Sequence, residues 1–162
     1  MVAVNKLNIR PAIPEDAETI LQFIKDLAQY EKLEHEVKAD VASITQSLFA
    51  EGATAHAIIC ELDGEAVGYG VYFYNYSTWL AKNGLYLEDL YVAPPYRKIG
   101  AGKAILKYLA QQAVAENCGR FEWCVLDWNQ PAIDFYQSIG AEPQDEWILY
   151  RLTGQALEHF AK

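Results

Sequence analysis

Residues 85–103, LYLEDLYVAPPYRKIGAGK, bring together more chemically useful side chains than any other stretch of the chain. The alternation up to Val92 predicts a strand, Pro94 and Pro95 end it, and a helix is predicted from Gly100. Between them runs Arg97-Lys98-Ile99-Gly100-Ala101-Gly102-Lys103. The first N–H groups of a helix have no partners inside it, and its dipole favours an anion at that end. Glycines at 100 and 102 remove Cβ atoms and let a pyrophosphate approach the backbone. Arg97, Lys98 and Lys103 add positive charge to a chain whose formal net charge is −9. Taken alone, the two glycines also fit a plain strand-to-helix turn.

Two better-known phosphate loops are excluded by position. A dinucleotide G-x-G-x-x-G starting at Gly100 needs glycine where Ile105 stands. A P-loop ending at Gly102-Lys103 needs Ser or Thr at Ala104 and glycine at Arg97.

Acids stand just before the loop. Glu88 and Asp89 lie between Leu87 and Leu90, and strict alternation places them on opposite faces of the strand. Glu31, Glu34 and Glu36 form a second acidic segment. Asn129 and Tyr136 are seven residues apart, two turns of one helix, and so share a face. No metal site is predicted. Cys60, Cys118 and Cys124 include no C-x-x-C pair, and His35, His56 and His159 follow no ligand spacing. The acidic balance opposes nucleic-acid binding and favours a cationic partner, although it also serves solubility. No apolar stretch is long enough to span a bilayer and no leader-like segment opens the chain, so a soluble cytoplasmic protein is expected.

The positioning elements follow from periodicity. Residues 7–10 read as a strand, and Pro14-Glu15-Asp16 open a helix with Ala17, Ile20, Leu21, Ile24, Leu27 and Ala28 on its apolar face. Asp40 caps a short helix carrying Val41, Ile44, Leu48 and Phe49. Strands are expected at 55–62, 65–76 and 84–92, with Asp63-Gly64 as a hairpin turn. A helix over 100–117 ends before Gly119, followed by a strand at 121–126. Asn129 caps a helix that Gly140 closes; a strand at 147–152 and a short helix end the chain. Three successive strands flanked by βα units predict a single α/β domain, residues 1–162, with a mixed sheet and helices on both faces.

Arg97-x-x-Gly100-x-Gly102 at a strand–loop–helix junction resembles the signature of the GNAT superfamily of N-acetyltransferases, whose loop holds the pyrophosphate of acetyl-CoA. The element order is similar to that fold over nearly the whole chain. Ala28-Gln29-Tyr30-Glu31, Tyr76-Ser77-Thr78-Trp79, Tyr86-Leu87-Glu88-Asp89 and Leu126-Asp127-Trp128-Asn129 resemble its diamine and polyamine acetyltransferase branch, and within it thialysine Nε-acetyltransferases. That branch usually has glycine where Lys98 stands.

The resemblance implies an acetyl-CoA site formed by Leu90, Tyr91, Val92, Arg97, Lys98, Ile99, Gly100, Ala101, Gly102, Lys103, Asn129 and Tyr136, with no metal. It implies Tyr136 as general acid for the departing thiolate and Glu88 as the carboxylate that takes the amine proton, directly or through water. Tyr30, Glu31, Trp79, Glu88 and Asp89 are implied to contact a small cationic amine, and the branch pairs as homodimers. The backbone N–H groups of Leu90, Tyr91 and Val92 are the expected oxyanion donors, provided the strand splays there. Peptide or protein N-acetylation, or a non-catalytic acyl-CoA sensor, remain alternatives at this point.

Overall fold

The computed structural model describes residues 6–162. It divides into two compact units, one ending at Cys124 and the other Val125–Lys162.

The first unit is built on a five-stranded sheet in the order β1-β2-β3-β4-β5. The strands are β1 (Leu7–Pro11), β2 (Ala55–Leu62), β3 (Glu65–Ser77), β4 (Lys82–Val92) and β5 (Arg120–Trp123). The first four are antiparallel neighbours, and β5 joins β4 in parallel. The sheet is therefore mixed, as expected. Asp63 and Gly64 both take positive φ, 51° and 88°, which is the backbone a two-residue hairpin requires.

Helix α1 (Ala17–Tyr30) and helix α2 (Val41–Phe49) cover one face of the sheet. Ala17, Ile20 and Phe23 of α1 and Ile44 of α2 pack on Ala57, Ile59, Tyr69 and Tyr91. Phe23, absent from the expected apolar face, is buried and stacks on Tyr69 with ring centroids 5.5 Å apart. The predicted cap of α2 is present, since Asp40 Oδ1 accepts from the Ser43 N–H at 2.7 Å. Arg10 pins the start of this layer through two bonds to Asp16, at 2.7 and 3.0 Å, and one to Glu61 at 2.8 Å.

Helix α3 (Ala101–Ala115) covers the other face, burying Ile105, Leu106, Leu109 and Ala113. Gln112 of α3 donates to the hydroxyls of Tyr72 and Tyr74 at 2.8 Å each, which fixes the helix over β3. The left-handed residue after α3 is Asn117, with φ 56°, not Gly119. A Cβ at Gly119 would meet Leu80 Cδ1 at 2.7 Å, the far end of an exposed side chain that can shift.

The second unit holds α4 (Gln130–Ser138) and α5 (Gly154–Phe160). Gly140, at φ 89°, follows α4 as predicted. Residues 147–152 were expected to form a strand, and the structure corrects this: they carry no strand, and Trp147, Ile148, Leu149 and Tyr150 are all exposed. Alternation gives a segment the pattern of a strand, but a strand also needs a neighbour to complete its ladder. Among the described residues, no helix is long and apolar enough to cross a membrane.

Candidate active site

The site begins with an irregularity in β4. Val71 of β3 faces Asp89, but Tyr72 faces Leu87, so Glu88 is the extra residue of a β-bulge. The bulge changes which face each side chain takes. Before it, Leu85 and Leu87 pair with Tyr74 and Tyr72, whose hydroxyls bond to α3. After it, Asp89 pairs with Val71 and Tyr91 with Tyr69, on the α1–α2 side. Without a bulge, residues 85, 87, 89 and 91 would all share one face.

This overturns the expectation that Glu88 and Asp89 point to opposite faces. The bulge keeps both on the α1–α2 side, where both carboxylates act on the Tyr69 phenol along with Glu31. The physical reason is the two-for-one count of a bulge, which shifts the alternation by one residue.

The acids differ in environment. Glu88 is exposed, whereas Asp89 is half-buried and accepts a hydrogen bond from the Tyr69 hydroxyl at 2.6 Å. Burial pushes the Asp89 carboxyl above the ordinary carboxylate range, and the Tyr69 hydrogen bond partly opposes that shift. Glu31, the residue that ends α1, is also pushed up, by burial and then by the Asp89 charge. The left-handed Lys32, φ 61°, turns the chain directly after it. Glu31, Glu88 and Asp89 thus form one acidic floor.

Tyr30 lies beside this floor and contacts the loop. The Arg97 guanidinium sits over the Tyr30 ring, 5.2 Å from its centroid, and 5.5 Å from that of Tyr91. Arg97 Nε also donates to the Val92 carbonyl at 2.9 Å. Arg97 therefore braces the end of β4 against the acidic side.

The loop has the form the sequence predicts. Pro94–Tyr96 make one 3-10 turn, and Gly100, at φ 89°, is the N-cap of α3. Ala104 donates the first bond of the helix, to Gly100 O at 2.9 Å, so the N–H groups of Ala101, Gly102 and Lys103 precede the ladder. Lys98 adopts φ 71°, a left-handed backbone that costs a non-glycine residue about 1 kcal/mol. Lys98, Ile99 and Lys103 are exposed.

The two glycines of the loop differ in kind. Gly100 is required by its positive φ. Gly102 has no such requirement, and a Cβ there would meet only Val92 Cγ2, at 4.0 Å. Among the described residues, no close contact calls for glycine at 102.

A second opening lies beside it. The parallel ladder of β4 with β5 ends at Leu87↔Trp123. Among the described residues, no strand pairs with that edge of β4 at Leu90, Tyr91 or Val92. An extended amide-bearing chain could add along an edge so left.

The remaining predicted residues lie elsewhere. Trp79, 79 % exposed, is in the β3–β4 turn, at the end of β4 away from the loop. Asn129 occupies the N-cap position of α4, without a side-chain cap bond, and Tyr136 is half-buried two turns along the same helix. Both belong to the second unit. Tyr69 was missed by sequence reasoning; its signal was a phenol at an inward position of a strand whose neighbour carries two acids.

Comparison with known proteins gives the chain its family. The profile of the acetyltransferase (GNAT) family matches residues 19–141. A thialysine N-epsilon-acetyltransferase of Mus musculus is 38% identical over 164 residues, covering 94% of this chain and 96% of that protein. An L-ornithine N5-acetyltransferase of Arabidopsis thaliana is 47% identical over 100 residues, covering 62% of this chain and 44% of that protein. Among solved structures, an integron cassette protein from the mobile metagenome of V. cholerae superposes with a TM-score of 0.80 at 25% identity, covering 96% of this chain and 98% of that one. The family match runs from within α1 through the acidic floor and the loop to the end of α4, and the chain belongs to the GNAT family of N-acetyltransferases.

Proposed function

We propose that this acetyltransferase moves acetyl from acetyl-CoA to a primary amine of a small cationic substrate, a thialysine-like amino acid, a diamine or a polyamine. The observation that carries the donor half is Gly102, whose φ does not call for glycine and whose added Cβ would meet only Val92 Cγ2, at 4.0 Å. Acetyl-CoA brings an acetyl group activated as a thioester. Ala101, Gly102 and Lys103 offer backbone N–H groups to its pyrophosphate, and Lys98 adds charge, its exposed side chain set on a left-handed backbone. The edge of β4 at Leu90, Tyr91 and Val92 supplies donors for the pantetheine amides and for the acetyl oxygen.

The acidic floor supports the acceptor half. A free alkylamine has a pKa of about 10.4 and arrives as ammonium. Glu31, Glu88 and Asp89 attract it, and exposed Glu88 takes its proton, directly or through water. Tyr30, beside the floor, offers a ring face to a cation. Tyr136 returns a proton to the departing sulfur, with Asn129 on the same helix face. The names of the mouse and Arabidopsis relatives support an amine of this class.

The family match crosses the boundary between the two units, which supports one functional domain over residues 1–162. The reading includes a cytoplasmic enzyme that needs no metal and pairs as a homodimer. Light scattering across micromolar concentrations checks the pairing, and a monomer throughout contradicts it.

The main test incubates the protein with acetyl-CoA and a panel of thialysine, ornithine, lysine, putrescine and spermidine while free thiol is followed. Amine-dependent thiol release is expected. Tight acetyl-CoA binding with no release above hydrolysis would instead mark an acyl-CoA sensor.

A further inference from the structure

We propose that Tyr69 is a positioning residue of the acceptor site, holding the Asp89 carboxylate in one orientation on the acidic floor through its hydroxyl. The inference rests on the reading of that floor as the amine site. Tyr69 has no solvent exposure, and Phe23 stacks on its ring at an interplanar angle of 22°. A phenol so confined has few orientations, and its hydroxyl hydrogen goes to Asp89 Oδ2 at 2.6 Å. Burial first, and then the charges of Asp89, Glu31 and Glu88, disfavour loss of that hydrogen, so Tyr69 remains a donor. It cannot itself serve as a base.

The surroundings of Asp89 make this bond consequential. Burial disfavours its charge, and the Tyr69 bond is the opposing influence. Glu31 approaches from the end of α1 with the same sign of charge. Glu88 adds a third acid from β4 itself. From the loop, Arg97 stands over Tyr91, and Asp26 of α1 acts on that same ring. Helix α2 carries no titratable side chain in Val41–Phe49, and the β2 residues on this face are Ala57 and Ile59. Tyr69 is therefore the donor that favours the ionised form of this half-buried carboxylate, the form a cation meets.

Tyr69→Phe removes the hydroxyl and keeps the stacked ring. The sign follows from the bond removed. Losing a donor to the ionised form raises the pH at which Asp89 gains its proton. Of two pH values either side of the raised Asp89 midpoint, kcat/KM for the amine should fall about tenfold at the lower, as for one hydrogen bond to a charged group, and much less at the higher. A purely structural role would lower kcat/KM equally at both pH values, and that result, or no change at either, overturns the proposal.

A second readout needs no turnover. Carboxyl-carbon NMR of the ligand-free protein follows the Asp89 titration directly, assigned with Asp89→Asn. Its midpoint should move to higher pH in Tyr69→Phe, and an unmoved midpoint overturns the proposal. A moved midpoint in a protein that acetylates no amine would reject the assigned reaction and keep Tyr69 as the residue that sets Asp89.

Discussion

The loop after β4 and the floor beside it are neighbours along one strand, yet they carry opposite fields. The loop sets Lys98 before α3 and Lys103 in its first turn, both exposed. The floor gathers Glu31, Glu88 and Asp89 around a buried phenol. Arg97 stands between them, its guanidinium over Tyr30 and Tyr91. A cofactor with several negative charges and a substrate with positive ones need such a division. The bulge at Glu88 creates it, because β4 carries Leu87 to the α3 side and then delivers two acids to the other.

If the division is real, changes on one side should leave the other intact. The largest effect is expected from the proposed acid. Tyr136→Phe should lower kcat about a hundredfold, as loss of a general acid does, with acetyl-CoA affinity unchanged by calorimetry. Equal turnover would remove Tyr136 from the chemistry.

Next comes the floor. Asp89→Asn or Glu31→Gln should raise the amine KM about tenfold and leave the acetyl-CoA Kd within twofold. A matching loss of acetyl-CoA affinity would show that the two sides are not separate.

The same residues give a pH prediction of opposite sign for stability. Asp89 titrates above its unfolded value, so the folded state holds more protons between the two values. Its contribution is present below the ordinary carboxylate pKa and is lost as pH rises through the raised one. Asp89→Asn should therefore raise the melting temperature at pH 8 but not at pH 3.5. Asp16, held below the ordinary range by Arg10, behaves in the reverse way. Its contribution is present at neutral pH and is lost as pH falls through its lowered value, so Asp16→Asn should lower the melting temperature at pH 8. Amine binding follows the charges directly and should weaken as acid protonates Asp89 and Glu31.

The smallest effect concerns Lys98. Lys98→Gly relieves a left-handed backbone and should stabilise the protein by about 1 kcal/mol. It also removes one charge, so acetyl-CoA affinity should drop about threefold, by less at higher salt.

Some of this division could be read in the residues alone. Arg97, Gly100 and Gly102 at a strand–helix junction are local features, and local geometry governs them. The Asp40 cap and the Asp63-Gly64 turn were legible for the same reason. The bulge was harder, since it depends on how β4 registers against β3. Its trace is present in hindsight: Leu85 and Leu87 are two apart, but the next leucine is Leu90, and the apolar phase slips by one. Tyr69 and Phe23 were missed because their importance comes from what they meet across the sheet, not from spacing. Residues 147–152 have a strand pattern and no strand, since pairing is a property of neighbours.

The most direct test is Gly102→Ala, with thermal melting and acetyl-CoA calorimetry on the same sample. The fold gives no reason for glycine there, so the melting temperature should hold or rise by the helix preference of alanine, about 0.5–1 kcal/mol. Acetyl-CoA affinity should fall at least about tenfold, as one methyl group intrudes where a pyrophosphate meets the backbone. Unchanged affinity with an unchanged fold would contradict the assignment of this loop to the cofactor.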